Sequence, residues 1–525
     1  MDKKILCAML DCSRDGVMRT EELKKFILIL KKAGYNSVGL YMEDTYEITA
    51  EPYFGYLRGR YTQSELKEIN DFGKEHGVTV IPYVQTLAHL GTIFNWQTFR
   101  NRVWDCQDIM CIENPETYKL IDEMFASLRK CFDGEYINIG MDEANLVGCG
   151  NYRWTYGYDG DRVNLIYKHL LKVIDIAKKY AFKPIMWSDM FWRVENKNLK
   201  EFIPKDVILC HWDYYRDKKK LIDNDLKRHF AVTDKVAFAG GAWTWSGFAP
   251  QNRWSIKSMK EAMKSCREYG VNNVTITMWG DFGSECSFYS VLPSLFYCAE
   301  KYLYDTKDID IKVKFEKLFG IKFNDFLTLD EPNYIKNNDS LTGNPSKYGL
   351  FNDPLYGKFD YHISDGDGNE FKRITKKIAR VEKRAGEYAY LFENMKRLSK
   401  AMEIKYDLGV KTRAAYAEKN REQLAYIADK LYPECIRRVD SFYESFKSVW
   451  EKEKKPFGFE VHDIRFGGLV RRLNHCRRTI KDYLSGKIEK IEELEMPLLS
   501  FDGATEKSAG FNVQNYVDIV TANIL

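Results

Sequence analysis

The sequence lacks the features that mark several common classes of protein. It has no apolar run long enough to span a bilayer, so we expect no membrane association. Its 80 basic and 76 acidic residues nearly balance, which gives no indication of nucleic-acid binding. The apolar run near the N-terminus covers only Ile5 to Leu10 and is too short for a signal peptide. The composition therefore predicts a globular protein that is not exported.

The cysteines and histidines also lack the spacing of a metal site or a disulfide framework. No two of the twelve cysteines form a CxxC pair, and the eight histidines show no ligand spacing with them. Several cysteines, such as Cys7, Cys210 and Cys298, lie in apolar stretches, which is typical of reduced and buried thiols. We therefore expect a cytoplasmic protein with no metal and no organic cofactor.

Tryptophan is unevenly distributed along the chain. Ten of the eleven tryptophans precede residue 280, and only Trp450 follows it. Core packing accounts for some of them, but a large flat apolar ring also suits the face of a sugar. The first 300 residues are therefore the place to look for a ligand site.

The first 300 residues alternate between short apolar runs and amphipathic segments, and 525 residues exceed one ordinary core. The alternation predicts a (β/α)8 barrel. A doubly wound open sheet is the competing fold, but DCSRDG after the first strand lacks the GxGxxG spacing of its phosphate turn. The predicted strands are Ile5–Cys12, Ser37–Met42, Thr79–Gln85, Tyr136–Met141, Pro184–Ser188, Val207–His211, Val236–Gly240 and Val274–Met278. The predicted helices are Thr20–Ala33, Ser64–His76, Pro115–Cys131, Val163–Tyr180, Ser255–Tyr269 and Tyr289–Tyr302.

The second half of the chain has a different pattern, which predicts an α-helical domain at 306–525 after a catalytic barrel at 1–305. A 4-3-4-3 spacing of apolar residues predicts one helix with a narrow apolar seam, which packs either on the barrel or on a second copy in a homodimer. The segment Asn344–Asp360 is predicted to be a loop that reaches back to the barrel mouth. The seam residues are Ile374, Ile378, Val381, Ala385, Tyr388, Phe392 and Met395.

Polar and aromatic side chains follow every predicted strand, at the point where the strand ends. In a barrel the carboxyl ends of all strands meet at one mouth, where the active sites of this fold are built. A mouth with carboxylates, tryptophans and one arginine suits a neutral, hydroxylated ligand such as a sugar. In chain order the residues are Asp11, Arg14, Glu43, Asp44, Gln85, His89, Asp142, Glu143, Trp187, Asp189, Trp212, Asp213, Tyr214, Tyr215, Trp243, Trp245, Trp279 and Asp281.

The adjacent acids Asp142 and Glu143 are the most informative of these residues. Successive side chains of a strand point to opposite faces, so both acids enter one site only if the chain bends as it leaves the barrel. Neighbouring acids cannot easily stand on opposite sides of a sugar as acid and nucleophile. They can place one acid at the glycosidic oxygen and the other beside the substituent at C2, so that the substrate's own acetamide attacks C1.

This sequence resembles the β-N-acetylhexosaminidases of glycoside hydrolase family 20. Their fourth-strand motif, His/Asn-x-Gly-x-Asp-Glu, is matched by residues 138–143, Asn-Ile-Gly-Met-Asp-Glu. The segments HWDYY, GGAWTWSGF and TMWGDFGSE resemble those of a bacterial cytoplasmic subgroup without an N-terminal β-sandwich domain. The resemblance covers most of the chain. It implies a retaining exo-enzyme that acts on terminal β-linked N-acetylhexosamines.

The resemblance also implies roles for the acidic residues. Glu143 would be the general acid and then the base, and Asp142 would orient the acetamide and stabilise an oxazolinium-type intermediate. His89 and Asp44 would form a relay behind Glu143, with the imidazole held between the two carboxylates.

Aromatic and charged residues would form the sugar pocket of such an enzyme. Tyr214 would donate a hydrogen bond to the acetamide oxygen, with Tyr215 as the alternative. Arg14 and Asp281 would bind the hydroxyl groups of the non-reducing-end sugar. The walls would be formed by Trp187, Trp212, Trp279, Trp243 and Trp245.

Two other functions fit the residues less well. One is a barrel glycosidase that uses carboxylates on different strands, such as Glu143 with Asp189 or Asp281. It would cleave glucosides that lack the acetamide. The other is a non-catalytic N-acetylhexosamine-binding barrel with a helical interaction module, which would bind the sugar without hydrolysis.

Overall fold

The structure, a computed structural model, describes residues 4–157, 160–192, 199–281, 283–335, 344–500 and 503. Eight parallel strands form a closed barrel, because the first strand pairs with both the second and the last. The predicted (β/α)8 fold is therefore confirmed. The barrel strands are β1 (Ile5–Asp11), β2 (Ser37–Tyr41), β3 (Thr79–Tyr83), β4 (Tyr136–Asn138), β5 (Lys183–Trp187), β6 (Ile208–Trp212), β7 (Val236–Gly241) and β8 (Asn273–Met278).

Helices surround this barrel, and all six predicted ones are present with small shifts at their ends. The helix that follows Asn114 has the predicted bounds, because the Asn114 side chain accepts a hydrogen bond from Glu116 N and Pro115 occupies the first turn. The sequence patterns missed α8, the short helices α3, α5 and α7, and a hairpin of strands Trp104–Cys106 and Ile109–Met110 between β3 and β4. The helices are α1 (Thr20–Lys32), α2 (Gln63–Glu75), α3 (Gln97–Arg100), α4 (Pro115–Cys131), α5 (Asn151–Tyr156), α6 (Arg162–Lys179), α7 (Asp189–Trp192), α8 (Lys219–Phe230), α9 (Asn252–Glu268) and α10 (Leu292–Tyr304).

The region after residue 305 is helical, as predicted. No described helix has both the length and the apolar character needed to cross a membrane. Short 3-10 turns occur at Ile93–Asn95, Leu199–Phe202, Phe288–Val291, Leu327–Asn333, Asp360–His362 and Gly386–Tyr388, and a π-helical turn at Ile427–Leu431. The helices are α11 (Asp308–Phe319), α12 (Phe323–Phe326), α13 (Pro345–Phe351), α14 (Gly368–Glu382), α15 (Ala389–Lys405), α16 (Leu408–Ala417), α17 (Arg421–Tyr426), α18 (Tyr432–Glu453), α19 (Phe459–Leu484) and α20 (Glu492–Glu495).

The apolar seam of this region is divided between two helices, so the prediction of one continuous helix was wrong. The helix α14 ends at Glu382, and α15 begins at Ala389 after a turn in which Gly386 has a φ of 55°. The left-handed backbone of Gly386 reverses the chain, and α14 packs on α15. All seven seam residues are buried. Their apolar side chains therefore form part of the core of this chain.

The helical region packs directly on the barrel. The ring of Phe248, which follows β7, contacts Phe442 and Phe446 of α18 and Phe466 of α19 at centroid distances of 5.1, 5.3 and 6.1 Å. The segment Asn344–Asp360 contacts the loops that follow β7 and β8, through Asn344 with Ser246 and Lys347 with Glu285, but Pro345–Phe351 forms the helix α13 and not a loop. The division of the chain at residues 305 and 306 stays a prediction.

Candidate active site

A sharp bend after β4 brings Asp142 and Glu143 into the same site. The strand ends at Asn138, three residues before the predicted end, and Gly140, Met141 and Glu143 have φ values of 72°, 72° and 52°. These left-handed conformations turn the chain out of the barrel, as the sequence argument required. The carboxylate oxygens of Asp142 and Glu143 lie 3.4 and 3.6 Å from Nε2 of the same imidazole, that of His89.

The side chain of Gln85 holds this bend in place. Its Oε1 accepts a hydrogen bond of 3.1 Å from Met141 N, while its Nε2 donates to Asp142 Oδ1 at 2.7 Å and to the Tyr41 hydroxyl at 2.9 Å. A Cβ at position 140 would lie 2.0 Å from Gln85 Oε1, so only glycine fits there. Gln85 was noted at a strand end, but the sequence did not indicate that it supports the acidic pair.

The Asp142–His89 pair is charged at neutral pH. Burial disfavours the imidazolium of His89, but the Asp142 carboxylate outweighs this effect and raises the pKa of His89 to about 9. Burial likewise opposes ionisation of Asp142, yet the charge of His89 and the hydrogen bond from Gln85 bring the pKa of Asp142 below its usual value. Asp142 is therefore a carboxylate that accepts hydrogen bonds.

The relay was predicted to place His89 between Glu143 and Asp44, and the structure shows that Asp44 is the wrong carboxylate. Oδ1 of Asp44 accepts from Arg58 Nη2 at 3.2 Å and Nε at 3.3 Å. The carboxylate beside His89 is Asp108, whose Oδ2 accepts from His89 N at 3.0 Å and lies 3.9 Å from His89 Nδ1. Asp108 lies in the turn of the hairpin after β3, away from any barrel strand end, so the strand pattern missed it.

Arg14 and Asp281 lie near enough to each other for their charges to interact. Arg14 forms an ion pair with Glu43, whose Oε1 also accepts a hydrogen bond from the Tyr41 hydroxyl at 2.9 Å. Burial alone would lower the pKa of Arg14, but Glu43 and Asp11 raise it well above its usual value. Burial raises the pKa of Asp281 to about 6 although Arg14 opposes the shift. Arg14 is thus cationic, and Asp281 titrates near pH 6.

The five predicted tryptophans lie in two touching aromatic clusters. Trp187 is 6.2 Å from Trp279, and Trp243 stacks on Trp245 at 4.5 Å, both measured between ring centroids. Trp212 and Trp279 pack against both clusters and are only half-buried, so they offer ring faces to a ligand. Trp187 and Trp243 are almost fully buried and support these faces from behind.

The two candidate tyrosines differ in their surroundings. Tyr214 is buried and stacks on Trp212 at 5.4 Å, with an angle of 17° between the ring planes. Burial raises the pKa of Tyr214 well above its usual value, and the charge of Asp142 adds to the shift. Tyr215 is 42% exposed and lies near Trp243, at 5.5 Å between ring centroids. Tyr214 therefore has the position beside Asp142, and Tyr215 lies nearer to solvent.

One group of described residues has the spacing of metal ligands, namely His211 in β6, Asp213 directly after β6 and Asp225 on α8. Arg216 contacts both carboxylates: it forms an ion pair with Asp225, and its Nε lies 3.5 Å from Asp213 Oδ2. The guanidinium supplies the positive charge that a metal ion would bring to these two acids. This donor set therefore gives no reason to place a metal in the site.

Comparison with known proteins identifies the family of this fold and site. Residues 27–279 match the catalytic domain of glycosyl hydrolase family 20, and residues 324–513 match the glycoside hydrolase 20C C-terminal domain. Hexosaminidase D of Bos taurus is 22% identical over 330 residues, which are 57% of this chain and 92% of that protein. Hexosaminidase D of Homo sapiens is 25% identical over 329 residues, which are 57% of this chain and 66% of that protein.

A solved structure has the same fold. It is the GH20 exo-β-N-acetylglucosaminidase of Vibrio harveyi in complex with N-acetylglucosamine, with a TM-score of 0.50 and 15% identity. The similarity covers 63% of this chain and 59% of that chain. Together the two family models span most of the sequence, from the barrel into the helical region. The chain belongs to glycoside hydrolase family 20, whose members are enzymes that cleave glycosidic bonds.

Proposed function

We propose that this protein is a retaining exo-β-N-acetylhexosaminidase that hydrolyses terminal β-linked GlcNAc or GalNAc, with the substrate's acetamide as nucleophile. The observation that supports this proposal is the convergence of Asp142 and Glu143 on one imidazole nitrogen. In this proposal two acids so placed act from the same side of a bound sugar. A glycosidase with an enzyme nucleophile instead needs carboxylates on opposite sides of the scissile bond. The names of the mammalian relatives, both hexosaminidases, agree with this substrate class.

In this proposal Glu143 is the proton donor to the leaving group and then the base that activates water. Its side chain is 48% exposed at the barrel mouth, so it can reach the glycosidic oxygen of a bound substrate. His89 lies between Glu143 and Asp142 and links the two acids electrostatically.

Asp142 is proposed to accept the acetamido N–H, aim the carbonyl oxygen at C1 and stabilise the positive charge of the oxazolinium-type intermediate. This role needs an ionised carboxylate with a fixed direction. The lowered pKa of Asp142 and its hydrogen bond from Gln85 meet both needs. Tyr214, buried beside Trp212, is proposed to donate its hydroxyl proton to the acetamide oxygen. Arg14 and Asp281 are proposed to bind the sugar hydroxyls.

A pair of isosteric variants tests this mechanism with matched aryl glycosides. Glu143→Gln should reduce kcat on aryl-GlcNAc by about 10²–10⁴-fold, because general acid catalysis is lost, while an N-acetylhexosamine product still binds. Asp142→Asn should reduce kcat on aryl-GlcNAc and leave the folded protein intact, as checked by thermal unfolding. A thiazoline analogue of the intermediate should inhibit the unmodified protein competitively.

The opposite outcomes are equally specific. Hydrolysis of aryl-glucoside as fast as aryl-GlcNAc would show that the acetamide is not the nucleophile and would favour a second carboxylate such as Asp281. Full activity in the Glu143→Gln variant would remove Glu143 from the chemistry. Binding of the sugar without any hydrolysis by the unmodified protein would indicate a non-catalytic barrel.

A further inference from the structure

The turn that carries Asp281 is held by the helical region as well as by the barrel. On the barrel side, Gly280 N donates to Asp11 Oδ2 at 2.9 Å, and Ser284 N donates back to Gly280 O at 2.7 Å. Four residues after Asp281, the side chain of Glu285 points into the interface with the helical region. The Glu285 side chain is 1% exposed, and its Oε2 lies 2.6 Å from Nζ of Lys347 on α13. The Lys347 side chain is fully buried.

Side chains from α19 and from the end of α18 hold the rest of the same turn. Arg465 Nη1 lies 3.5 Å from the other oxygen of Glu285. His462 Nε2 lies 2.8 Å from Gly283 O, and Lys454 Nζ donates to the carbonyl of Ser284. A Cβ at position 283 would lie 2.8 Å from Arg465 Nη1, so the backbone of the turn is in close contact with α19.

We propose that Lys347, supported by Arg465, is a positioning residue for Asp281: through the buried pair with Glu285 it fixes the turn that presents Asp281 to the sugar. The helical region would then complete the hydroxyl-binding part of the site, which the barrel alone does not assemble. This inference rests on the proposed role of Asp281 in sugar binding.

The burial of the Lys347–Glu285 pair favours a geometric role over a purely stabilising one. Moving two charges out of water has a large cost, and a buried ion pair often stabilises a fold no better than apolar residues of the same size. A buried ion pair does fix the orientation of both side chains, because the carboxylate oxygens and the ammonium N–H groups must form hydrogen bonds with each other. Burial lowers the pKa of Lys347 to about 8, against the opposing charges of Glu285 and Asp281. The carboxylate of Asp281 is thus near enough to act on the Lys347 ammonium.

The experiment compares Lys347→Met with a second interface variant that lies away from the mouth. Glu331 of the helical region pairs with Arg253 of α9 and with Lys377, whose Nζ lies 2.8 Å from Glu331 Oε1. Glu331→Gln therefore removes a buried interface charge without touching the Asp281 turn. Michaelis constants for aryl-GlcNAc and aryl-GalNAc and thermal midpoints are measured for both variants.

We expect Lys347→Met to raise KM for aryl-GlcNAc about tenfold or more, since a displaced Asp281 weakens a hydrogen bond to a charged group. Its kcat should change less than about threefold, and the ratio of GlcNAc to GalNAc activity should shift. Glu331→Gln should lower the thermal midpoint and leave KM unchanged. Glu285→Gln keeps the shape of the interface and should show the same rise in KM, which covers the case in which Lys347→Met does not fold.

A double variant separates this inference from the function on which it rests. The effects of two substitutions do not add when both act through the same group. Lys347→Met should therefore change KM less than about twofold when Asp281→Asn is already present. The positioning role would be overturned if the fold-change in KM of the double variant equals the product of the fold-changes of the two single variants. An unchanged KM in both Lys347→Met and Glu285→Gln would overturn it as well. If Asp281→Asn alone leaves KM unchanged, the role of Asp281 fails instead. If the unmodified protein does not hydrolyse aryl-GlcNAc, the proposed function fails.

Discussion

The barrel mouth and the helical region differ in how many of their non-glycine residues have a left-handed backbone conformation. Most described non-glycine residues with a left-handed backbone belong to the barrel, and several lie in the loops that carry the site, whereas Lys419 is the one described example beyond residue 305. Such conformations cost of order 1–3 kcal/mol each and persist only when the surroundings enforce them. Those at the mouth are Glu43, His89, Met141, Glu143 and Ser284.

The two regions also differ in what they bury around these backbones. The mouth encloses ionisable or polar groups such as Asp11, Glu43 and Gln85, each 1% exposed or less. The helical region also buries charged groups, such as Lys347 and Lys405, but its centre contains an aromatic cluster in which Phe442, Phe446 and Phe466 are in mutual contact. The comparison indicates that left-handed backbones and buried charges occur together at the mouth, while the aromatic cluster of the helical region supplies stability and a rigid support. Substitutions in the two regions should therefore change different measured quantities.

The largest expected effect is on stability alone, from a cavity in the helical core. Leu398 of α15 is fully buried, so Leu398→Ala should lower the free energy of unfolding by about 2–5 kcal/mol. Below the unfolding temperature, KM for aryl-GlcNAc should stay within twofold of the unmodified value. Ile309, 66% exposed on α11, is the control, since Ile309→Ala should change the thermal midpoint very little. A large change in KM with Leu398→Ala would show that the two regions are not separable in this way.

The second prediction concerns the charge of His89 and the pH dependence of stability. Since the folded pKa of about 9 exceeds the unfolded value, His89 stabilises the fold fully below about pH 6.5. That contribution, about 3 kcal/mol at most, is lost as pH rises through 9. His89→Gln removes it, so the stability difference between the two proteins should be largest at pH 6.5 and small at pH 9.5. Chemical denaturation at both pH values measures it, and a difference independent of pH would contradict the ion pair with Asp142.

The third prediction tests the bend at Gly140, where a methyl group has no space. Gly140→Ala should displace Gln85 and the acidic pair, and a misplacement of about 1 Å should reduce kcat by about a hundredfold. Gly77 is the matched control, because it has a similar φ of 69° and no atom of the described residues lies within 4 Å of its added Cβ. Gly77→Ala should cost about 1 kcal/mol of stability and leave kcat unchanged. Equal losses of kcat in both variants would mean that backbone strain, not crowding of the site, is responsible.

The fourth prediction follows from the pKa of about 6 at Asp281. Below pH 6 this acid gains a proton and loses the charge that strengthens its hydrogen bonds to sugar hydroxyls. KM for aryl-GlcNAc should therefore rise about tenfold between pH 7 and pH 5, since a charged acceptor adds roughly 1–2 kcal/mol. In Asp281→Asn the KM should be high and nearly flat over the same range. A rise in KM that persists in this variant would assign the titration to another group.

The elements and site residues that the sequence predicted share one property: their signal is local. The strands are short apolar runs with polar ends, and α4 has its cap and its proline in adjacent positions. The barrel geometry then brings strand ends together, which is why Asp142, Glu143 and His89 were predicted to meet. The helix α8 was missed because its few apolar residues lie among lysines and aspartates.

The parts that were not predicted depend on contacts between distant segments. Asp108 reaches His89 from a hairpin turn, and Lys347 reaches Glu285 from 62 positions away in the sequence. Neither residue belongs to a periodic pattern, so no spacing along the chain indicates its partner. Asp44 shows the opposite case, since a strand-end position suggested a role in the relay, whereas Arg58 from a later loop holds its carboxylate.

The smallest expected effect is a gain in stability in the helical region, at a glycine that neither a turn nor a close contact requires. Gly467 lies within the long helix α19, and in the part of the chain that the structure describes no neighbour comes within 4 Å of an added Cβ. Gly467→Ala should raise the free energy of unfolding by about 0.5–1 kcal/mol, because alanine loses less backbone entropy in a helix. A higher thermal midpoint with unchanged kcat and KM is expected, the reverse of the result for Gly140→Ala. A loss of stability would show that the open face at Gly467 is covered in the folded protein, since the added methyl group would then meet another surface.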